Sequence, residues 1–285
     1  TFADAGTAAA NQTRYIGYYG DGTVNNAGTY NRNGVGTTSF NGGRLVNTGT
    51  VNVNGGTLDL GPGTSNGIFN VASGTTLQFS SGTFDLTGGT LSNLGTLRVS
   101  SGTVNINAGV TYNGSGAIAV TGGLLNSALG TTLTPGSLTI SGGTARFTGA
   151  VNTSQLDMTG GTLGGPGTVT AGTLNWSGGT MGESGAGNNG GTTTITGAST
   201  IDGTDANYVY YGRTLNLNGN TSWTQGSQHI YVYGGGQGTS TLNIGSGTTF
   251  TDAGTSAANQ TRYIGYYGDG TVNNAGTYNR NGIGT

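Results

Sequence analysis

Ten carboxylates, eight arginines and one histidine carry all the acid–base chemistry that charged side chains give this 285-residue chain, and it has neither Lys nor Cys. Asp59, Asp85 and Asp157, with Arg98 and Arg146, each stand between two apolar residues, as in "TLDL" and "TLRV". Successive side chains of an extended segment point to opposite sides. These charges are therefore expected to face solvent while their neighbours are buried. A hydrolase or lyase needs carboxylates or basic groups converging on one spot, and such spacing is missing. Asp202 and Asp205 in "IDGTDAN" form the closely spaced acidic pair, and their Gly and Asn neighbours read as a turn. His229 has no Cys or second His to complete a metal site or triad. "YGDG" at Tyr19 and Tyr267 comes nearest to the calcium nonapeptide but lacks its recurring Gly and Asp. No "GxSxG" occurs, and no helix start is available to hold phosphate. The expectation is a non-enzymatic chain without cofactor or metal.

The tyrosines gather more tightly than the charges. Tyr208, Tyr210, Tyr211, Tyr231, Tyr233, Tyr263, Tyr266, Tyr267 and Tyr278 lie near the end, and Tyr15, Tyr18, Tyr19 and Tyr30 near the start. Tyr112 is the outlier, while Trp223, His229 and Arg262 fall inside the later band. Three roles fit such a candidate interaction band. The rings stack as ladders that stiffen the fold, form a contact patch in which Tyr and Arg are enriched, or offer a platform to sugar rings. Formal net charge is −2, which gives no basic footprint for nucleic acid. No run approaches the roughly 18 apolar residues of a membrane helix.

The elements that position these residues are short and repetitive. Gly-Thr-apolar-polar-apolar recurs as "GTVNV" at Gly49, "GTLDL" at Gly56, "GTFDL" at Gly82, "GTLRV" at Gly95, "GTVNI" at Gly102, "GTARF" at Gly143 and "GTLNW" at Gly172. "GSLTI" at Gly136, "RTLNL" at Arg213 and "STLNI" at Ser240 are looser copies. Period-two alternation means strand, and 62 glycines leave no segment suited to helix. On a larger scale, residues 2–37 and 250–285 agree at all but three of 36 positions, the exceptions being Ala3/Thr251, Ala8/Ser256 and Val35/Ile283. The chain thus reads as the start of a 248-residue unit (1–37), its remainder (38–248) and the start of the next (249–285), in one continuous solenoid within a longer tandem array.

Strands this close together leave no room for helical crossovers. An antiparallel sandwich and a parallel solenoid remain. "NNAGTYN", "VNTGTVN" and "SNLGTLR" place Asn26, Asn47 and Asn93 at spacings of 21 and 46 residues, the second twice 23. That echo favours an all-β, parallel right-handed β-solenoid (β-helix) with roughly triangular rungs of about 21–23 residues, in which Asn26, Asn47 and Asn93 form an amide ladder.

"GGTLSNLGTLRVSSGTVNINAG" at Gly88 resembles the repeats of filamentous haemagglutinin-like adhesins and of bacterial autotransporter passenger domains, a likeness covering most of Gly43 to Gly179. The resemblance implies an extracellular or cell-surface bacterial filament. A structural or adhesive fibre is the expected function, with a glycan-binding adhesin as the alternative and a β-helix polysaccharide lyase or hydrolase behind it. Its expected partners are further copies of itself and glycans or a neighbouring cell surface.

Overall fold

The computed structural model describes residues 1–6, 12–16, 22–40, 42–187, 189–224, 226, 228–254, 261–265 and 268–282, and among them there is no helix. The chain is an all-β parallel β-solenoid. Copies of the five-letter template form strands such as Thr50–Val53, Thr57–Leu60 and Thr103–Ile106, and Gly-rich corners separate them. Two compact units result, Thr1–Ser137 and Leu138–Thr285.

In the first unit the chain visits three faces in turn. Thr29–Arg32, Thr50–Val53, Ile68–Val71, Thr90–Asn93 and Thr111–Asn113 stack on one face, and Phe2–Asp4 pairs with the first of them. Thr37–Ser39, Thr57–Leu60, Thr76–Phe79, Thr96–Val99 and Ala117–Val120 stack on the second. The third holds Thr23–Asn26, Arg44–Asn47, Gly63–Ser65, Thr83–Leu86, Thr103–Ile106 and Leu124–Ser127. All pairings are parallel, so apolar slots align into inward columns such as Val51, Phe69 and Leu91, or Leu58, Leu77 and Leu97, each buried. At about 25 cal/mol per Å² of apolar surface removed from water, such columns are the main source of stability in so thin a core.

Coil length departs from the expected 21–23 residues. Stacked partners are 18 residues apart at Asn52 and Asn70 and 20 apart at Asp85 and Asn105. In the second unit the step reaches 27 between Asn216 and Asn243 and 30 between Asn243 and Asn273. Register holds the strands, but a corner can lengthen outward at a closure cost that grows only slowly with its length.

The polar middle slot forms ladders of its own. On the first face Asn52 donates to Asn31 at 2.7 Å and Asn70 to Asn52 at 2.8 Å. On the third, Asn105 donates to Asp85 at 2.7 Å and Asn126 to Asn105 at 3.2 Å. The second unit repeats this through Asn216 to Thr194, Asn243 to Asn216 and Asn273 to Asn243, at 3.1, 2.7 and 2.9 Å. In each series the later residue donates and the earlier one accepts. A carboxylate only accepts, which accounts for Asp85 and Asp157 at the start of a ladder, the latter taking a bond from Asn175 at 2.7 Å.

Two expectations need correction. Asp59 is buried rather than solvated, because Ser39 and Gln78, its neighbours in the coils before and after, both donate to it, at 2.9 and 3.0 Å. Asn93 does not share a ladder with Asn26 and Asn47. Asn26 donates to Asn47 at 2.7 Å on the third face, whereas Asn93 lies on the first, paired in register with Val71. Unequal coil lengths carry residues with the same local sequence to different faces.

Gly63 lies in an inward column between Leu45 and Phe84, and a Cβ there would meet the Phe84 ring and the Leu45 carbonyl. Its missing side chain admits the ring, whose centroid lies 4.9 Å from that of Phe79 and 6.1 Å from that of Phe69. Gly63→Ala is expected to lower stability by about 1–3 kcal/mol. Adding Phe84→Leu should recover part of that loss, seen as a non-additive double-mutant cycle in urea unfolding.

Candidate functional site

In the second unit, Thr144–Arg146, Thr162–Gly164, Gly179–Met181, Asn207–Tyr210 and Ile230–Tyr233 stack in register on one face. The inward column is Ala145, Leu163, Met181, Val209 and Val232, all buried. The outward column beside it runs Thr144, Thr162, Thr180, Tyr208, Tyr231. A threonine row thus passes directly into a tyrosine row. Tyr208 and Tyr231 lie ring on ring, with centroids 5.2 Å apart and planes 11° apart. Tyr210 meets Tyr233 edge-on at 5.7 Å and Tyr208 at 5.0 Å. These four rings are half-buried: strand alternation turns Val209 and Val232 inward and the tyrosines out.

Where threonine gives way to tyrosine there is a cleft of about 350 Å³, lined by Thr144, Thr162, Thr180, Glu183, Tyr208 and Tyr211 among others. Arg146 makes a two-point ion pair with Glu183, which holds the guanidinium above its ordinary pKa chiefly through the hydrogen bond. The pair fixes the carboxylate over Gly164, a position that a Cβ on that residue would contest. Tyr211 is the one non-glycine with positive φ among the described residues, at 55°. A left-handed conformation costs an ordinary L-residue about 1–2 kcal/mol. It is held there by its N–H donating to the Tyr233 carbonyl at 3.1 Å and by the Gly190 N–H donating to its own carbonyl at 2.8 Å. Its ring meets Tyr210 edge-on at 5.6 Å. Hydroxyls, a fixed carboxylate and aromatic walls in one cleft can bind a polyol or another polar surface. Nearby Arg213 is fully buried and donates to Thr193 Oγ1 and the Gly165 carbonyl, at 3.0 and 3.1 Å; burial lowers its pKa to about 10.

The duplicated passage builds the same cluster twice. In the first copy Tyr30 stacks on Phe2 at 5.5 Å and donates to Asp4 at 2.9 Å, while Arg14 forms an ion pair with Asp4. In the second, Tyr278 stacks on Phe250 at 5.8 Å and donates to Asp252 at 2.8 Å, while Arg262 forms an ion pair with Asp252. Burial pushes the Tyr30 phenol up to about 12. The Arg262 side chain is 2% exposed, with its guanidinium 3.5 Å above the Trp223 ring, and Trp223 is itself 1% exposed.

The tyrosine band therefore sorts into separate roles. Tyr208, Tyr210, Tyr211, Tyr231 and Tyr233 come together on one face. Tyr263 is exposed beside His229 at the margin of that face, and Tyr15 and Tyr278 are exposed elsewhere. Tyr30, Trp223 and Arg262 are corrected from band members to interior groups, because each is covered by a stacked coil or a charge partner. Tyr18, Tyr19, Tyr266 and Tyr267 lie outside the described residues. Sequence reading missed Thr144, Thr162, Thr180 and Glu183. The signal was present in "GGT" at Gly142, Gly160 and Gly178, an 18-residue spacing that marks three stacked corners. Among the described residues no three His, Asp or Glu side chains gather to hold a metal ion. Comparison of the chain with protein-family models, curated proteins and solved structures gives no match.

His229 extends the aromatic face, edge-on to Tyr231 at 5.3 Å and to Tyr263 at 5.0 Å. Its Nδ1 accepts the Tyr263 N–H at 3.2 Å. Burial and then the nearby Arg262 charge lower its pKa below the ordinary 6.5. A depressed folded-state pKa means stability that is present above 6.5 and lost as pH falls through that value and the lower folded one. NMR titration of this single histidine should give a midpoint below 6.5, moving toward 6.5 in urea. An unshifted folded midpoint would contradict the geometry.

Proposed function

We propose that this chain is a structural and adhesive solenoid repeat, acting by contact and not by turnover, on a bacterial surface or outside the cell. The observation that carries the reading is the outward tyrosine row, Tyr208 on Tyr231 and Tyr210 beside Tyr233, on a rigid parallel face. Aromatic rings held in place by strand register bury large areas at little entropic cost on binding. The likeness of the stretch beginning at Gly88 to filamentous haemagglutinin-like and autotransporter passenger repeats supports the same placement. Lateral contact with other copies or with a neighbouring cell surface is the role assigned to this face.

A second reading, saccharide binding, is favoured by the cleft itself, where Thr hydroxyls and Glu183 face Tyr208 and Tyr211. Aromatic rings stack on sugar faces while a carboxylate accepts hydrogen bonds from sugar hydroxyls and threonine hydroxyls donate to or accept from them.

The variant Tyr208→Ser/Tyr231→Ser leaves the inward Val209 and Val232 untouched and should keep the melting temperature within a few degrees. Beads coated with it are expected to lose most of the adhesion and clustering shown by beads coated with the parent chain; undiminished adhesion would overturn the proposal. Binding to a glycan panel that disappears in Tyr211→Ala would favour the saccharide reading, and equal binding would remove it.

A further inference from the structure

Tyr208, Tyr210, Tyr231 and Tyr233 are the outward side chains of two strands inside the second unit, Asn207–Tyr210 lying between Gly179–Met181 and Ile230–Tyr233. Strand alternation sets their outward direction, wherever the face begins or ends. One ring is a hub. Tyr210 meets Tyr208 at 5.0 Å with planes 61° apart, Tyr211 at 5.6 Å and 80°, and Tyr233 at 5.7 Å and 77°. Thiol, thioether and indole groups, the usual competitors for an oxidant, are out of reach. The chain has no Cys, and its two Met and two Trp, Met158, Met181, Trp176 and Trp223, are all buried. Met181 sits in the buried column with Val209, while Thr180 beside it pairs with the outward Tyr208. A reagent that removes single electrons from outside therefore meets phenols on this face and neither sulfur nor indole.

We propose that this cluster is a modification site, at which a one-electron oxidant with a peroxide as terminal acceptor joins Tyr210 to Tyr233 by a carbon–carbon bond. Each phenol gives up one electron and one proton and becomes a phenoxyl radical. The two radicals couple between ring carbons ortho to oxygen, and the hydrogens on those carbons move to the oxygens as both rings regain aromaticity. Hydrogen peroxide takes up the two electrons and two protons and leaves as two waters. Geometry selects the pair. A bond between two aromatic rings lies in the plane of each, so ring edges must meet. Tyr208 and Tyr231 lie 11° from parallel and show each other their faces. Tyr210 stands edge-on to Tyr233, so one ring alone has to turn. Tyr210 and Tyr233 are also register partners on strands about 4.8 Å apart, whereas Tyr208 is two residues along the same strand, about 6.6 Å away. The product is a covalent staple from one coil to the next, outside the backbone. It is independent of the adhesive reading, since phenylalanine keeps the ring faces that contact uses and lacks the phenol that coupling uses.

The test treats the dilute full chain with hydrogen peroxide and a haem peroxidase, and reads dityrosine by its fluorescence and by mass spectrometry. Cleavage after Arg213 separates Tyr210 from Tyr233, so the bond shows as two joined peptides lighter than their sum by two hydrogens. Monomeric chains should carry this joined pair. Tyr210→Phe should lose most of it and Tyr208→Phe should keep most of it, with melting curves confirming that both variants fold. Absence of the joined pair in the parent chain, a yield that survives Tyr210→Phe, a yield that falls as far in Tyr208→Phe, or dityrosine found only between separate chains would overturn the proposal.

Discussion

Parallel stacking in register is the constraint from which the rest follows. A short strand in this chain satisfies its backbone only through the coils before and after it, so each side chain spends its life against the side chain one coil away in its own column. Column chemistry then has to agree with itself. Apolar residues meet apolar ones inside, amides meet amides outside, and an acceptor-only carboxylate sits where donors reach it, at the start of a ladder for Asp85 and Asp157 and between Ser39 and Gln78 for Asp59. Where a large ring enters a column, a glycine makes room, as Gly63 does for Phe84.

Because the strands are held and the corners are not, the fold can change its surface without changing its core. The outward column of the second unit moves from Thr144, Thr162 and Thr180 to Tyr208 and Tyr231 while the inward column beside it stays apolar throughout. The same freedom lengthens the coils toward the end of the chain, and it is in those longer coils that His229 and Tyr263 join the aromatic face. The strained Tyr211 stands at the end of one of these strands, held by backbone bonds from Gly190 and to Tyr233. A function carried on such a face depends on rigidity supplied from beneath.

Much of this was legible in the residues. The alternation in "GTVNV" and its relatives read as strands, glycine density excluded helices, lack of room for crossovers left a sandwich or a parallel solenoid, and the Asn-x-Gly-Thr echo chose the solenoid, although one of its three members, Asn93, lies on another face. Face assignment was not legible, because it depends on the cumulative length of every preceding corner. Asn47 and Asn93 have similar local sequence, yet the intervening coils place them on different faces. Burial of the aromatic band was likewise hidden. Tyr30 is interior because the following coil lays Thr50–Val53 over its strand, which nothing in its own passage announces. The threonine row was readable from the 18-residue recurrence of "GGT", but its continuation into Tyr208 required knowing that a longer coil returns to the same column.

Register itself is open to direct measurement, since the chain has no cysteine of its own. Neighbouring parallel strands place paired Cα atoms about 4.8 Å apart, inside the roughly 4.4–6.8 Å that a disulfide spans. Asn52 and Asn70 are stacked outward partners 18 residues apart. Oxidation of Asn52→Cys/Asn70→Cys is expected to close an intramolecular disulfide in nearly every molecule with the fold retained, while Asn52→Cys/Leu58→Cys stays open. Closure of the second pair and not the first would mean that Thr50–Val53 and Thr57–Leu60 form an antiparallel hairpin, and the stacked-coil account would be wrong.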